Sequence, residues 1–347
     1  MVKIVVTGGA GFVGSHAAEH FARKNHEVLV CDNLSRAETL GKIVGDQTYV
    51  WNYLRQGYPN IKLLRLDVRK FDAIRDACKG ANIIIHAAAQ VAVTASLIDP
   101  RTDFETNAWG TFNVLEVARL NDCTVVFCST NKVYGENVNS IPVKEGKTRY
   151  SFSDQAYSNG IPENLPVDHT GHSPYGSSKL AADIYVQDYA HTYGLRTGIF
   201  RMSCIYGERQ FGVEDQGWVA WFTIATITGK PITIYGDGKQ VRDLLYVTDL
   251  VDAFDRFLSG SMTHDIFNVG GGPENTLSLL ELLDLLQRLT GKAPKIRYSN
   301  WRQADQRIYV SDIRKARERL GWNPTVGPRE GVGRLVRWIE ENRSVLV

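Results

Sequence analysis

A glycine-rich turn near the start of the chain limits its possible folds more than any other segment. Gly8, Gly11 and Gly14 lie between a short apolar run at residues 4–6 and a helical pattern at residues 13–23. Because glycine has no Cβ atom, the backbone can turn tightly here and a pyrophosphate can approach the positive N-terminus of the helix. The segment therefore predicts the first strand-to-helix turn of a dinucleotide-binding α/β fold.

An acidic residue at the end of the next predicted strand supports this interpretation. Asp32 follows the apolar run at residues 28–31 and lies 21 positions after Gly11, where a carboxylate can bind both hydroxyls of a ribose. A carboxylate there disfavours the 2′-phosphate of NADP, whereas Arg36 is compatible with it. We expect NAD as the cofactor. The alternative is an ordinary glycine-rich turn in an α/β protein.

Short apolar runs alternate with helical patterns in the first half of the chain. The runs predicted to be buried parallel strands are residues 4–6, 28–31, 63–66, 83–86 and 125–128. The helical patterns, with apolar residues three and four positions apart, are residues 13–23, 73–78 and 106–119. This alternation predicts a Rossmann-type doubly wound parallel sheet in an α/β protein.

The pattern loosens in a glycine-rich stretch at residues 207–217, where we expect a smaller C-terminal α/β substrate lobe to begin. A predicted helix at residues 247–258 and a strand at residues 266–269 return the chain to the first lobe. The expected division is an NAD-binding Rossmann domain of residues 1–203 plus 244–268 and a substrate lobe of residues 204–243 plus 269–347.

Composition narrows the class of partner. Hydrophobic residues make up 43% of the chain, and 40 basic against 38 acidic residues leave a formal charge of +2, which favours neither nucleic acid nor an anionic membrane. Five cysteines without a CxxC pair indicate reduced thiols. Without a leader or about 18 consecutive apolar residues, we expect a cytoplasmic protein that binds a small molecule. His169 and His172 have no further ligand pair, so we expect no metal.

Tyr175 and Lys179 have the spacing of an acid–base pair. Residues four positions apart lie on the same face of a helix. A phenol titrates near pH 10 in water, and each pKa unit by which a nearby cation lowers this value is worth about 1.4 kcal/mol. Lys179 can supply that cation, so we predict that Tyr175 is a base. Taken alone, the spacing also fits two surface residues on a helix.

Together these motifs resemble those of the extended short-chain dehydrogenase/reductase family, specifically its nucleotide-sugar epimerases and dehydratases. The resemblance covers essentially the whole chain and is carried by the glycine turn, Asp32, residues 86–89, Ser129, Thr130, Tyr175 and Lys179. It implies that Thr130, rather than Ser129, hydrogen-bonds the reacting sugar oxygen. It also implies a homodimer formed through the helices that follow Pro100 and Tyr175.

The same resemblance implies which residues contact NAD. Asp67 and Val68, after the third strand, are expected at the adenine, although Asp67 also fits a simple helix cap. The expected cofactor residues are Gly8, Gly11, Phe12, Val13, Gly14, Asp32, Asn33, Ser35, Arg36, Asp67, Val68, Ala87, Ala88, Ala89, Gln90, Asn107, Ser129, Tyr175 and Lys179.

Two features narrow the branch of the family. Its 4,6-dehydratases carry Asp-Glu after the threonine, whereas this chain has Asn131 and Lys132, which disfavours dehydration. Most members have Asn at the position of Cys204, and its absence disfavours a UDP-galactose 4-epimerase. Four segments are similar to those of the CDP-paratose 2-epimerases, namely residues 90–94, 129–135, 204–207 and 210–218.

Arginines complete the expected substrate site, because their planar fork suits a diphosphate. The expected substrate residues are Thr94, Thr130, Asn131, Lys132, Cys204, Gln210, Trp218, Tyr235, Arg242, Arg302 and Asp305. We expect the segment between Tyr134 and Tyr175 to close over the sugar. The predicted substrate is a nucleotide sugar, most specifically a CDP-linked deoxyhexose inverted at C2. A UDP-hexose 4-epimerase and a non-catalytic dinucleotide-binding regulator stay open as alternatives.

Overall fold

A computed structural model of the chain describes residues 2–40, 46, 48–302 and 305–346. The chain forms two compact units. The first unit comprises Met1–Val133, Ser173–Arg201 and Val251–Phe267, and the second comprises Tyr134–His172, Met202–Leu250 and Asn268–Val347.

Fifteen strands are present in the described residues. They are β1 (Lys3–Thr7), β2 (Glu27–Asp32), β3 (Ile61–Arg65), β4 (Ile83–His86), β5 (Thr124–Thr130), β6 (Val143–Glu145), β7 (Tyr150–Phe152), β8 (Thr197–Met202), β9 (Cys204–Tyr206), β10 (Pro231–Tyr235), β11 (Val241–Tyr246), β12 (His264–Val269), β13 (Thr276–Ser278), β14 (Lys295–Ser299) and β15 (Ile308–Tyr309).

Thirteen α-helices occur in the same residues. They are α1 (Phe12–Arg23), α2 (Arg36–Leu40), α3 (Tyr49–Gly57), α4 (Phe71–Ala77), α5 (Val93–Ile98), α6 (Pro100–Phe104), α7 (Gly110–Asn121), α8 (Pro174–Tyr193), α9 (Trp218–Thr228), α10 (Val247–Ser259), α11 (Leu279–Thr290), α12 (Arg314–Leu320) and α13 (Pro328–Glu341). A π-helix spans Glu105–Trp109, and 3₁₀ segments span Asn131–Ser140, Gln155–Tyr157 and Arg343–Val345.

The first unit is built on a seven-stranded sheet with the strand order β12-β8-β5-β4-β1-β2-β3. Strands β1 to β5 pair in parallel. The direction of winding reverses between β1 and β4, since β2 and β3 lie on one side of β1 and β4 and β5 on the other. Ligands of doubly wound sheets bind outside the carboxyl ends of the strands at such a point. The predicted doubly wound sheet is confirmed.

A buried histidine joins β1, β4 and α7 at this point. His86 is 1% exposed, and its Nδ1 lies 2.6 Å from Thr7 Oγ1 and its Nε2 lies 3.0 Å from Thr111 Oγ1. Thr111 Oγ1 donates its proton to the Asn107 carbonyl at 2.5 Å, so it accepts from Nε2–H, and Nδ1 accepts from Thr7. Burial lowers the pKa of His86 to about 3, which keeps the ring neutral.

The second unit contains smaller sheets. Strand β11 pairs with β13 in antiparallel and with β15 and β9 in parallel orientation. Strands β10 and β14 form a parallel pair, and β6 and β7 form an antiparallel pair. Trp322, Tyr206 and Tyr309 are among its fully buried side chains, and Trp322 Nε1 donates to the Asp249 carbonyl at 2.8 Å.

The unit boundaries differ from the expected ones at two longer segments, and residues 202–203 and 268 also lie in the second unit rather than the first. Residues 134–172, expected in the first domain, pack in the second unit. Backbone bonds explain this, because Ile161 N donates to the Val310 carbonyl at 2.7 Å and Asp312 N donates to the Ile161 carbonyl at 3.0 Å. Residues 244–250 also belong to the second unit, since β11 continues through Tyr246.

Several helical regions differ from the sequence expectation, and α2, α3 and α5 are not among the predicted helices. The predicted helix at residues 106–119 is a continuous run of α6, the π-helix and α7, and the π-helix inserts its extra residue around Asn107. Helix α9 was not predicted, because its sequence is apolar on all sides and therefore carries no amphipathic period.

In the part of the chain that the structure describes, no helix is both long and apolar enough to span a membrane. Within the same residues, no group of three or more His, Cys, Asp or Glu side chains is arranged to hold a metal ion. The five cysteines are free thiols, and four of them are buried.

We expect stability to fall as the pH decreases from about 6.5 to about 3, because the unfolded chain protonates His86 in this range and the folded chain does not. The pKa is lower in the folded state, so the unfolded state binds more protons and the loss is about 1.4 kcal/mol per pH unit. Thermal unfolding measured between pH 7 and pH 4 should show a weaker pH dependence in His86→Gln, whose amide does not titrate. The same dependence in both proteins would contradict this expectation.

Candidate active site

Tight backbone contacts close the glycine turn after β1. Gly8 has a φ of 67°, and a Cβ atom on it would lie 2.5 Å from Ala88 N. A Cβ atom on Gly14 would overlap the Gly8 carbonyl oxygen. These two positions therefore accept no side chain, and their turn lies directly against the segment that follows β4.

The N-terminus of α1 is open at this turn. Its N-cap, Gly11, makes no side-chain capping bond, and no acidic residue occupies the first turn, which Phe12 and Val13 begin. The free N–H groups of such a terminus bind phosphate. This arrangement fits the pyrophosphate of NAD.

Asp32 provides a carboxylate at the end of β2. Its Oδ2 accepts from Ala10 N at 3.0 Å and its Oδ1 accepts from Leu34 N at 2.8 Å. Burial raises the pKa of Asp32, and these backbone bonds oppose the shift. Each carboxylate oxygen can accept a second bond, so Asp32 fits the two hydroxyls of a ribose.

Residues expected near the adenine are bonded to one another. Asn33 Nδ2 donates to Asp67 Oδ2 at 3.2 Å, and Asn33 Oδ1 accepts from Ser35 N at 3.0 Å. Burial alone would raise the pKa of Asp67, but bonds from Arg69 and Asn33 outweigh it and lower the pKa to about 2. Burial lowers the pKa of Arg36. Asp67 thus carries a negative charge at neutral pH, and its contact with the adenine stays a prediction.

Small and apolar residues complete this side of the unit. Ala87 N donates to the Thr7 carbonyl at 3.0 Å, and Ala89 is half-buried. Val68 is buried, and its carbonyl accepts from Asn113 Nδ2 at 3.0 Å.

Gln90 and Asn107, two residues expected to contact the cofactor, form side-chain hydrogen bonds with other groups of the protein. Asn107 Oδ1 accepts from Gln90 N at 2.9 Å, and Asn107 Nδ2 donates to the Gln90 carbonyl at 3.1 Å. Gln90 Nε2 donates to Asp103 Oδ1 at 2.8 Å, and Asn107 Nδ2 lies 3.1 Å from both Asp103 Oδ1 and Ser178 Oγ. The sequence analysis missed Asp103 and Ser178, because no local spacing connects them.

Helix α8 carries Tyr175 and Lys179 into the interior of the same unit. Ser173 caps the helix by accepting from Gly176 N at 3.2 Å. Tyr175 is 8% and Lys179 2% exposed, and the Thr130 side chain at the end of β5 lies near enough to the Tyr175 hydroxyl to oppose the rise in its pKa. The structure therefore brings together the three residues predicted to be catalytic.

Burial sets the ionisation of this group. It raises the pKa of Tyr175 to about 12, and the bond to Thr130 opposes the shift. It lowers the pKa of Lys179 to about 8, so the ammonium is charged at neutral pH. Lys179 Nζ donates to the Cys128 carbonyl at 2.8 Å and lies 4.3 Å from the centre of the Phe127 ring.

Ser129 is bonded away from Tyr175. Its Oγ donates to Asp183 Oδ2 at 2.5 Å and the residue is fully buried. Asp183 also receives Arg201 Nη2 at 2.9 Å, in a pair that is at most 5% exposed. Of the two hydroxyls after β5, Thr130 is therefore the one available beside Tyr175. Asp183 and Arg201 were also missed from the sequence.

Three further expected substrate residues belong to the first unit. Thr94 lies half-buried in α5, and Asn131 and Lys132 follow Thr130 directly. Lys132 N donates to Thr130 Oγ1 at 3.2 Å, and Thr130 Oγ1 lies 3.3 Å from Asn131 Oδ1. No carboxylate follows Thr130 at these two positions.

The other expected substrate residues belong to the second unit. Trp218 Nε1, at the start of α9, donates to Cys204 Sγ at 3.0 Å. Burial raises the pKa of the Cys204 thiol to about 12. Gln210 Nε2 donates to the Ile205 carbonyl at 3.1 Å, while its buried Oε1 has no hydrogen-bond partner among the described residues.

Two arginines of the second unit are paired with acidic residues. The Arg302 guanidinium lies 3.9 Å from the centre of the Tyr235 ring and donates to Asp215 Oδ1 at 3.2 Å. Arg242 Nη2 donates to Asp305 Oδ1 at 2.7 Å. Both guanidinium groups have further N–H groups that can bind a phosphate.

The glycine turn, Asp32 and the buried Tyr175–Lys179 pair define a dinucleotide-dependent oxidoreduction site, and the sequence pattern of the NAD dependent epimerase/dehydratase family matches residues 4–270. The chain belongs to this family. The resemblance inferred from the motifs is confirmed, and so are NAD as the cofactor and an enzyme of the epimerase class.

Curated relatives span nearly the whole chain. It is 37% identical to a CDP-paratose 2-epimerase of Salmonella typhi, over 97% of this chain and 99% of that protein. It is 31% identical to a UDP-glucuronate 4-epimerase of Thermodesulfobacterium geofontis, over 99% and 97% of the two chains.

Solved structures share the fold. The UDP-glucose 4-epimerase of Thermotoga maritima, solved with UDP-glucose, aligns with a TM-score of 0.81 at 30% identity over 98% of this chain and 99% of that one. The Thermus thermophilus UDP-glucose 4-epimerase, solved with NAD, aligns with a TM-score of 0.79 at 31% identity over 98% and 99%.

We expect Gly8→Ala to destabilise the chain and to reduce the NAD that copurifies with it, because the new Cβ would overlap the backbone of Ala88. Gly80→Ala is the matched control, since Gly80 has a φ of 69° and no atom within 4 Å of its Cβ position. It should lose only about 1 kcal/mol to left-handed strain and keep its NAD. Chromatography of the nucleotides released on denaturation, with thermal unfolding, measures both effects. Equal NAD content in the two variants would contradict the expectation.

Proposed function

We propose that this chain is an NAD-dependent epimerase that inverts C2 of CDP-paratose to give CDP-tyvelose through a transient keto sugar. The observation that carries the proposal is the burial of Tyr175 and Lys179 one turn apart on α8, in the same unit as the buried Thr130 at the end of β5. The open turn that fits NAD belongs to the same unit.

The residues of the first unit divide the chemistry among them. The glycine turn and Asp32 would hold NAD, which would supply the acceptor and then the donor of a hydride. Tyr175 takes the proton from the reacting hydroxyl, and Thr130 hydrogen-bonds the same sugar oxygen. The keto sugar turns its other face before the hydride returns, so the configuration inverts while the net oxidation state does not change.

Lys179 makes this role possible for Tyr175. A phenol with a pKa of about 12 does not act as a base near neutral pH unless a cation stabilises its phenolate. Lys179 is protonated below about pH 8 and shares the helix face of Tyr175. It is therefore the cation that this chain supplies.

Similarity to the Salmonella typhi protein supports the choice of a CDP sugar and of C2, since its 37% identity extends over 97% of this chain. Asn131 and Lys132 support epimerisation over dehydration, because they replace the Asp-Glu pair that supplies the acid and base for removal of water in the dehydratases of the family. Trp218 Nε1 donates to Cys204 Sγ, so two of the segments that are similar to those of the CDP-paratose 2-epimerases, residues 204–207 and 210–218, are in contact.

A 4-epimerase of UDP-hexoses is the second candidate. The Thermotoga maritima structure with UDP-glucose favours it, as it matches 98% of this chain at 30% identity. Both reactions use the same catalytic residues and differ in the sugar carbon that faces the cofactor.

Changing Tyr175 to Phe should lower kcat by about 100-fold or more, because a positioned proton acceptor contributes about 10²–10⁴-fold. The copurifying NAD should stay at the wild-type level, since Tyr175 lies outside the glycine turn. Tyr193→Phe, an exposed position at the end of α8, is the control and should keep the wild-type rate. A near-normal kcat for Tyr175→Phe would refute its role.

Proton NMR of the purified protein with CDP-paratose or UDP-galactose, without added cofactor, tests the substrate. Inversion at C2 of the CDP sugar is the expected result, and it would show that the NAD required for turnover is retained. Turnover of the UDP hexose alone would overturn the substrate assignment and move the chemistry to C4.

An exposed apolar surface on the first unit supports a homodimer. It lies on α5, α6, the π-helix and α8, which pack against each other. Its large side chains are Leu97, Ile98, Phe104, Trp109, Ile184 and Tyr185. Large exposed apolar side chains grouped on helices that pack together are typical of an interface, and a second copy of the chain can cover them about a two-fold axis.

Ile98→Glu should convert the dimer to a monomer, because Ile98 is 86% exposed within one chain and a charge would be buried in the interface. Tyr298→Glu, at a position 62% exposed on β14 of the second unit, is the control and should stay dimeric. Size-exclusion chromatography with light scattering measures the mass, and a monomeric wild type would contradict the proposal.

A further inference from the structure

A buried carboxylate with no role in the proposed chemistry lies beside the catalytic helix. Asp103, near the end of α6, is 1% exposed. Its Oδ1 accepts from Gln90 Nε2 at 2.8 Å and from Asn107 Nδ2 at 3.1 Å, and its Oδ2 accepts from Ser178 Oγ at 2.5 Å. No described residue forms an ion pair with Asp103. The carboxylate is therefore held by three hydrogen-bond donors.

Ser178 connects this carboxylate to the catalytic helix. It lies in α8, three residues after Tyr175 and one before Lys179, and is 2% exposed. Its single proton has two acceptors, Asp103 Oδ2 at 2.5 Å and the Tyr175 carbonyl at 3.1 Å. The shorter, charge-assisted bond is the stronger one, so Asp103 fixes the Ser178 hydroxyl.

The same network reaches the segment after β4 and the π-helix. Asn107 Nδ2 donates to Ser178 Oγ at 3.1 Å, and the Asn107 and Gln90 amides bond each other in both directions. The Tyr175 amide N–H donates to Ser96 Oγ at 3.1 Å. The first turn of α8 is thus held by side chains from three other elements.

Burying such a network costs free energy unless every polar group in it forms its hydrogen bonds. Burying a carboxylate carries a desolvation penalty, and an apolar side chain of similar size would pack without it. Burial indeed raises the pKa of Asp103, and the bonds from Ser178 and Gln90 oppose the shift. The carboxylate fixes the orientation of the side chains that donate to it, because hydrogen bonds are directional and apolar contacts are not.

We propose that Asp103 is a positioning residue for the epimerisation, because its bonds to Ser178, Gln90 and Asn107 fix the first turn of α8 and with it the Tyr175 hydroxyl. The inference rests on the proposed function, in which Tyr175 takes the proton. It assigns no contact between Asp103 and the substrate.

Asp103→Asn tests the proposal with little change of volume. An amide cannot accept from both sides of the network, so the Ser178 hydroxyl should turn to its other acceptor, the Tyr175 carbonyl. We expect kcat to fall about 10- to 100-fold, the size of effect that a small misplacement of a reacting group produces. KM should stay within about threefold and the copurifying NAD should not change.

Two further variants separate positioning from folding. Ser178→Ala removes the connection without removing the carboxylate, and it should show part of the kcat loss. In the double variant Asp103→Asn/Ser178→Ala, the fold loss in kcat should be smaller than the product of the fold losses of the two single variants. Asp255→Asn is the control, because this carboxylate of the first unit binds His20 and Lys24 and no member of the network. It should lower Tm and leave kcat unchanged.

The outcomes are distinct. A kcat for Asp103→Asn within twofold of wild type, or a loss that Asp255→Asn reproduces, would overturn the positioning role. If Asp103→Asn does not fold, a wild-type kcat in Ser178→Ala would also overturn it. Each variant is compared with wild type on the nucleotide sugar that the wild type converts. If that sugar is not CDP-paratose, the substrate assignment is overturned and the positioning role of Asp103 is still tested.

Backbone amide exchange supplies a readout that needs no substrate. The backbone amides of residues 175–179 should exchange faster in Asp103→Asn than in wild type. Their exchange rates in Asp255→Asn should equal those of wild type. Equal exchange in wild type and Asp103→Asn would overturn the inference even if no tested sugar reacts.

Discussion

The close approach of the backbone at Gly8 to the segment after β4 is the contact on which the first unit depends. It occurs where the winding of the sheet reverses, so the ends of β1 and β4 meet there and both face the same ligand space. His86 stabilises this arrangement, because its ring hydrogen-bonds both Thr7 of β1 and Thr111 of α7. The cofactor turn and α7 are thereby fixed to a single strand pair.

Buried polar groups of the first unit are hydrogen-bonded between separate helices and strands. Asp183 with Arg201 and Ser129, and Asp103 with Ser178, are buried groups whose bonds cross from one helix or strand to another. Buried polar groups are stable only when they are bonded, so each of them restricts how α8 can lie. This restriction explains how a tyrosine of high pKa can be held beside its hydroxyl partner and its cation.

Local patterns in the sequence were sufficient for the sheet of the first unit and for Gly8, Asp32, Tyr175 and Lys179, because turn geometry, strand ends and helix faces depend on neighbouring residues. The networks were not predictable in the same way. Ser178 and Asp103 are 75 positions apart, and Ser129 and Asp183 are 54 apart, so only the folded chain joins them. The placement of residues 134–172 in the first domain could not be corrected from the sequence for the same reason. The backbone bonds of Ile161 to Val310 and Asp312 span an even greater distance in sequence.

The π-helix between α6 and α7 gives this region a tolerance for a change in chain length that a regular helix lacks. It accommodates one residue more than an α-helix would, so the loss of one residue of Glu105–Trp109 can restore a regular helix while Thr111 stays at His86 and Asn113 at the carbonyl of Val68. A deletion inside α7 cannot be absorbed in this way, because each α-helical residue contributes a rotation of about 100° and the residues after the deletion would face a different direction. A change of length in this helix is therefore better accommodated at the π-helix than within α7.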